Sequence, residues 1–403
     1  MKFVNKFNFL ALFLALLLSL VACPALASSP ADDNGSNDDS ISFVDSGQRL
    51  ADAETDKVGL ADLDGDGDID AFCANSGPNK IWFNDGKGTF TSDNQTYGDD
   101  YSGDVALADL DGDGDIDAIV ANSGPSRVWL NNGDGTFADD GQMFTSETDD
   151  FTNALAVGDL DGDGDIDIFF GYEYDGGKVW LNDGAGTFVD SGQSLGALTS
   201  SQVSMGDVDS DGDMDVVVIS CGMYDEANLL WLNDGSGNFT ASEQELGVDC
   251  SDALGMADLN GDQHLDIVIG GAGSQGEFTV WANNGTGIYS QHQSVVDDIN
   301  HHDLSFNDLD NDGDIDIVFN SGEIWLNDGT GQFSQQFSQE DQSLSDSLAI
   351  AMADLDNDEH LDIFLGRAGP NEVWLNSPLS STALPISDEP NISHPIFLPF
   401  ISR

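Results

Sequence analysis

Positive charge is what this chain most lacks. Its 403 residues include 10 lysines and arginines against 75 aspartates and glutamates, a formal net charge of -65. Nucleic acid and anionic membranes both demand a positive surface, so neither fits as a partner, and the expected counter-charge is a metal cation. Such acidity without structure would mean disorder, but 39% hydrophobic residues in a regular pattern and 46 glycines at fixed places argue for a folded chain. Long apolar runs are missing after the N-terminus, and no later segment approaches the ~20 apolar residues that span a bilayer. Prolines number 10, half of them after Asn376. No nucleophile elbow, HExxH or phosphate loop is present, and the many Gly-x-Gly strings are accounted for by turns.

Cysteine is sparse, with four residues, and the first lies in a leader. Lys2 and Lys6 precede an apolar run from Phe9 to Ala22, and Ala25-Leu26-Ala27 has the small-x-small form of a cleavage site, so residues 1–27 read as a signal peptide. In the alternative reading Leu20-Val21-Ala22-Cys23 is a lipobox, the signal is 1–22, and Cys23 carries a lipid anchor at the cell surface. Either way the protein is expected outside the cell, where disulfides are permitted. Cys73 falls in an apolar strand and reads as a small buried hydrophobe. Cys221 and Cys250 lie on connections of neighbouring repeats that emerge at one face, and they are candidates for a bridge or for two unpaired thiols.

What is abundant is one repeated unit. Seven ladders begin at Asp62, Asp109, Asp159, Asp207, Asp258, Asp308 and Asp354, and each is followed about twenty residues later by one of the seven tryptophans: Trp82, Trp129, Trp180, Trp231, Trp281, Trp325 and Trp374. Short β-rich runs separated by Gly, Asn and Asp clusters predict small antiparallel strands. In the second unit these are strand A over 104–108, B over 116–121, C over 127–130 and D from Thr136-Phe137, the four strands of a propeller blade. The last unit ends at Leu375-Asn376-Ser377-Pro378 without a fourth strand, while Phe43-Val44-Asp45-Ser46-Gly47-Gln48 reproduces the fourth strand of the third unit, Phe188-Val189-Asp190-Ser191-Gly192-Gln193. The fold class expected is therefore all-β: a seven-bladed β-propeller of four-stranded antiparallel blades over 41–376, closed by an N-terminal outer strand that completes the last blade. Residues 28–40 read as an acidic flexible linker and 377–403 as a proline-rich tail.

Each ladder is a candidate calcium loop. Counting from Asp62 as position 1, side-chain oxygens fall at positions 1, 3, 5 and 9 on Asp62, Asp64, Asp66 and Asp70, Gly67 at position 6 turns sharply, and Asp68 at position 7 offers its backbone carbonyl. Hard oxygen donors in a flexible turn suit calcium; magnesium prefers rigid octahedra, and zinc and iron want His or Cys. Two carboxylates ~4 Å apart repel by about 4 kcal/mol at an effective dielectric of 20, so a loop that folds four of them inward must bind a cation or protonate. The same donors recur at Asp109, Asp111, Asp113, Asp115 and Asp117; Asp159, Asp161, Asp163, Asp165 and Asp167; Asp207, Asp209, Asp211, Asp213 and Asp215; and Asp308, Asp310, Asp312, Asp314 and Asp316. The fifth loop reads Asp258, Asn260, Asp262, His264 and Asp266 with Gln263 in place of glycine; the seventh reads Asp354, Asp356, Asp358, His360 and Asp362 with Glu359 there. A non-glycine residue at positive φ costs about 1 kcal/mol. These two are the weakest of up to seven sites, their histidines serving as carbonyl donors with rings facing solvent. An EF-hand needs a glutamate at position 12, where the first three units place Cys73, Val120 and Phe170 inside strands.

The strings ADLDGDGDIDAIVAN and VWLNNGDGTF resemble FG-GAP or VCBS repeats, the units of the integrin α-subunit propeller and of many bacterial secreted proteins. The resemblance covers all seven units. It implies a seven-bladed propeller with calcium in the A-B loops of one face and partners docking at the other; leg domains of the integrin type are missing, so integrin signalling is not implied.

On that other face the B-C connections Gly171-Tyr172-Glu173-Tyr174-Asp175 and Gly222-Met223-Tyr224-Asp225-Glu226 stand out, and Tyr172, Tyr174 and Tyr224 are candidate contacts for a glycan or a protein. The tryptophans read as packing residues, with sugar stacking as the competing role. His301-His302-Asp303 reads as a solvated turn rather than a catalytic group. The function expected is a secreted, non-enzymatic binding or adhesion module; the alternatives are a polysaccharide lyase or hydrolase on a propeller scaffold, and a structural cation-binding surface protein.

Overall fold

The computed structural model describes residues 41–376 apart from 51–52, 94, 146–150, 174, 197–199, 222–226, 248–249, 272–275, 297–298 and 337–346. The leader, the linker, the tail, Cys23, Tyr174 and Tyr224 therefore lie outside the described residues. The rest forms 28 strands in seven four-stranded antiparallel sheets, without a helix among them. Blade 2 is representative: strand A is Ser102–Ala108, B is Asp117–Asn122, C is Arg127–Asn131 and D is Phe137–Asp139. Strand A extends two residues earlier than the sequence pattern indicates, because a β-bulge before Asp104 lets Ser102 pair with Asn122.

Each blade is hydrophobic on both faces because it is packed on both. Strand B of blade 2 is buried at all six positions. Among the described residues there is no single core; seven apolar clusters fill the seven interfaces, each drawing residues from two neighbouring blades. Ile119 and Val128 of blade 2 pack with Ile168 and Phe170 of blade 3, and Phe364 and Val373 of blade 7 pack with Ala71 and Phe90 of blade 1. Cys73 lies fully buried in that last cluster, and burial pushes its thiol pKa up. The tryptophans join this packing: Trp180 meets Phe144 edge-on with ring centroids 5.0 Å apart, and Trp325 meets Phe278 at 4.9 Å.

Closure follows the expected route. Phe43–Asp45 pairs antiparallel with Glu372–Asn376, in the register Phe43↔Asn376, Val44↔Leu375, Asp45↔Trp374. Blade 3 repeats that register as Phe188↔Asn182, Val189↔Leu181, Asp190↔Trp180. Arg49 ties the seam to Asp45 at 2.8 Å and to Glu372 at 3.3 Å.

Candidate metal loops and the opposite rim

The seven aspartate ladders form the A-B hairpin loops on one face of the ring, and hydrogen bonds within each loop set their shape. Asp109 at position 1 accepts from Gly112 N at 2.8 Å and from Gly114 N at 3.0 Å. Asp117 at position 9 is buried and accepts from Leu110 N at 2.8 Å and from Asn131 N at 2.7 Å. Oxygens of positions 1, 3 and 9 approach within 4.8 Å of one another in the loops of Asp109, Asp159 and Asp207, as do those of Asp62, Asp64 and Asp66. At position 3 of three loops the buried oxygens Asp161 Oδ1, Asp209 Oδ1 and Asp356 Oδ1 have no well-formed hydrogen bond; the N–H two residues on interacts with each carboxylate only at poorer geometry.

These carboxylates are costly to ionise. Burial pushes the pKa of Asp70 up to about 7 and those of Asp117, Asp167, Asp215, Asp266, Asp316 and Asp362 up to about 6, even though each accepts two backbone N–H groups. Asp64, Asp111, Asp161, Asp209, Asp310 and Asp356 at position 3 are raised by burial and then by the neighbouring position-5 carboxylate. Convergent hard oxygens, unmet hydrogen-bonding capacity and raised pKa values together fit a hard divalent cation such as calcium.

The position-7 side chains stand apart from that cluster. Asp68, Asp115, Asp165, Asp213 and Asp314 lie against Gly86, Gly133, Gly184, Gly235 and Gly329 of the C-D turns, which leaves only their carbonyls to serve a cation. His264 differs from its expected solvent-facing pose: it is half-buried, its ring packs on Gly285, and its Nδ1 is 3.3 Å from Ser210 Oγ. His360 is also half-buried, and its N–H donates to Asp358 Oδ1 at 2.9 Å.

Backbone strain ranks the loops more finely than glycine loss at position 6 alone. Gln263 and Glu359 do take positive φ, 70° and 71°, but so do Ser210, Asn311 and Asn357 at position 4, at 63°, 58° and 61°. The seventh loop thus carries two such residues. In the fifth loop Asn260 Nδ2 donates to Asp266 Oδ2 at 3.0 Å, adding an amide donor to an oxygen that already accepts the Leu259 N–H.

The opposite face departs further from expectation. Tyr172 is fully buried beside Phe170, with ring centroids 6.1 Å apart, so it is a core residue and no surface contact; it ends strand B, where both faces are covered. Among the described residues the exposed aromatics are instead Tyr101 and Phe151, 42% and 43% exposed, at equivalent places just before strands A of blades 2 and 3. The Tyr101 hydroxyl bonds to Asp56, which also accepts from Ser76 Oγ at 3.1 Å. The residue of blade 2 equivalent to Asp56 is Gly103, which carries no side-chain acceptor. Cys221 and Cys250 are joined in a disulfide. The triplet His301-His302-Asp303 is not a solvated turn: His301 stacks on Phe319 with centroids 3.9 Å apart, Asp303 is 6% exposed, and only His302 remains accessible, 3.1 Å from Asp252.

Asp303 belongs to a network that the repeat pattern did not reveal. At one equivalent position of strand A the blades carry Lys57, Asp104, Ala154, Gln202, Ala253, Asp303 and Ala349. The three acceptors each take an N–H from the next strand A: Asp104 from Leu155 at 2.9 Å, Gln202 from Leu254 at 3.0 Å, and Asp303 from Ile350 at 3.0 Å. An odd number of blades leaves one without a partner of this kind, and there Lys57 donates to Asp303 at 2.6 Å. Burial holds the carboxyl of Asp104 up to about 6 against the opposing pull of Lys57.

The chain matches the FG-GAP-like repeat over residues 62–120, 109–170, 159–218, 207–269, 258–319 and 308–365. No curated protein matches its sequence. Among solved structures, BBS1N in complex with ARL6DN superposes with a TM-score of 0.57 at 12% identity, covering 84% of this chain and 97% of that one. A lectin from Agrocybe aegerita, with specific recognition of non-reducing terminal N-acetylglucosamine, superposes with a TM-score of 0.50 at 22% identity, covering 80% of this chain and 87% of that one. At such identities these two likenesses establish the propeller fold and nothing further.

Proposed function

The chain belongs to the FG-GAP-like repeat family, and from that premise we propose that it is a secreted, calcium-loaded propeller. It acts as a non-enzymatic binding or adhesion module, with a glycan or protein docking on the face opposite the loops. The observation that carries the calcium reading is the set of buried position-3 oxygens without a well-formed hydrogen bond, Asp161 Oδ1, Asp209 Oδ1 and Asp356 Oδ1, the first two in loops that also converge positions 1 and 9. A divalent cation supplies the missing partner and offsets part of the -65 charge. Export follows from the signal peptide read over 1–27. Support for the docking face comes from Tyr101 and Phe151, exposed and adjacent in the ring; the two similar propellers bind a protein, ARL6DN, and a terminal N-acetylglucosamine.

The test is a glycan and cell-surface binding screen with the chain in calcium, in chelator, and as the double variant Tyr101→Ala/Phe151→Ala. Binding in calcium that is lost in the double variant, with an unchanged melting temperature, is the expected result. Release of unsaturated products from a polysaccharide would replace this reading with an enzymatic one.

A further inference from the structure

The loops do not stand alone; six of the seven are cradled by the blade that follows them. Asn131 closes strand C of blade 2. Its N–H donates to Asp117 Oδ1, a position-9 carboxylate of its own loop, at 2.7 Å, while its side-chain Nδ2 crosses the interface to Leu63 O at 2.9 Å. Leu63 is position 2 of the preceding loop, between the candidate ligands Asp62 and Asp64. The same two bonds recur at five more interfaces, the crossing bond spanning 2.7 to 2.8 Å from Asn84, Asn182, Asn233, Asn283 and Asn327.

A second contact runs beside the first. Gly135 in the C-D turn of blade 2 sits so close to the first loop that a Cβ on it would lie 3.0 Å from Asp64 Cβ, while Gly133 of that turn lies against Asp115 of the second loop. One turn is therefore clasped between position 3 of one loop and position 7 of the next. At the seam the sequence breaks this band, since blade 7 reads Asn376-Ser377-Pro378 with no glycine turn to hold the loop of Asp308.

We infer that the strand-C asparagines are positioning residues that couple neighbouring calcium sites, so that the ring loads cooperatively rather than as seven independent loops. The inference rests on the calcium reading above. A cation that draws in Asp117 fixes Asn131, and a fixed Asn131 holds the backbone between the first two ligands of the loop before it. By linkage the coupling is reciprocal. The loop of Asp308, lacking its glycine turn, is expected to be the least coupled of the complete ones.

Calorimetric titration of the full chain with calcium tests this. The wild type should load with a Hill coefficient above one. Asn131→Ala, outside every ligand set, should weaken two sites by about 5-fold or more each, whereas Val128→Ala, a core truncation in the same blade, should leave the number and affinity of bound ions unchanged. In an Asp62→Asn background, which already lacks the first site and so has nothing to couple to the second, Asn131→Ala should leave the affinity of the second site unchanged. Asn233→Ala repeats the experiment at another interface should Asn131→Ala fail to fold. Wild-type binding with a Hill coefficient of one and an Asn131→Ala isotherm that matches wild type would overturn the coupling and leave the calcium reading intact; no calcium binding by the wild type would overturn both.

Discussion

The two faces of the ring are made by the ends of the same strands, yet one is uniform and the other is not. On the loop face every blade repeats a nine-residue ladder in which positions 1, 5 and 9 are aspartate without exception. On the opposite face, the equivalent residue near the start of strand A is Asp56, Gly103, Asn153, Ser201, Asp252, His302 or Leu348, and in all but the His302 blade it sits at a β-bulge. The loop face repeats one arrangement seven times, a hairpin loop of aspartates that the proposed function fills with a cation. The bulged rim is held by the same strands but answers no common demand, so each blade is free to present a different group there. Under the proposed function, uniformity marks the calcium loops and diversity marks the rim where a partner is to be sought.

That contrast can be broken by experiment, and the largest effect should come from the loop face. Removing calcium should lower the melting temperature by about 10 °C or more, because each site filled at 100 times its dissociation constant contributes about 2.7 kcal/mol. An unchanged melting curve in chelator would remove the metals from the stability of the fold. Next in size is Lys57→Met. Lys57 is the cation beside the buried Asp303 and Asp104, and stranding their charges should cost about 3 kcal/mol and roughly 6 °C; a change under 1 °C would show that the bridge is solvated. Calorimetry of that variant with and without calcium should give the same loss, since the bridge lies away from the loops.

Acid should reveal the loops in a third way. In metal-free protein the position-9 carboxyls titrate at about 6 to about 7, above their ordinary value near 4. Their protonated form is favoured by folding, so the stability they contribute is present in full below pH 4 and is lost as pH rises through 6 to 7. Metal-free protein should therefore melt roughly 4 °C higher at pH 5 than at pH 7.5, and saturating calcium, which needs the ionised form, should abolish or reverse that trend. A metal-free melting temperature that rises with pH would contradict the burial of these groups. The smallest effect is Gln263→Gly, which should relieve a left-handed backbone and stabilise by about 1 kcal/mol; a loss of stability would mean that the Gln263 side chain makes a contact worth more than the strain.

Much of the fold was legible because it is written in one dimension. A ladder, a tryptophan and a turn recur with a fixed period, and the missing last strand reappears as Phe43-Val44-Asp45 at the other end. Glycine loss at Gln263 and Glu359 correctly located strain. Ser210, Asn311 and Asn357 give no such signal, because position 4 needs a left-handed residue that Asn and Ser supply without an obvious mark in sequence. Tyr172 is buried although the pattern puts it at the surface, since an aromatic in a variable connection looks the same whether it turns outward or ends a covered strand.

Sequence by itself determined the number of blades, the way the ring closes and where the aspartate loops fall, because local spacing decides those. Tertiary structure alone decided which residues meet across the ring: Lys57 and Asp303 are 246 residues apart, and Asn131 and Leu63 are 68 apart. Such partners are chosen by how neighbouring blades pack and how far each side chain reaches, and no period along the chain encodes them.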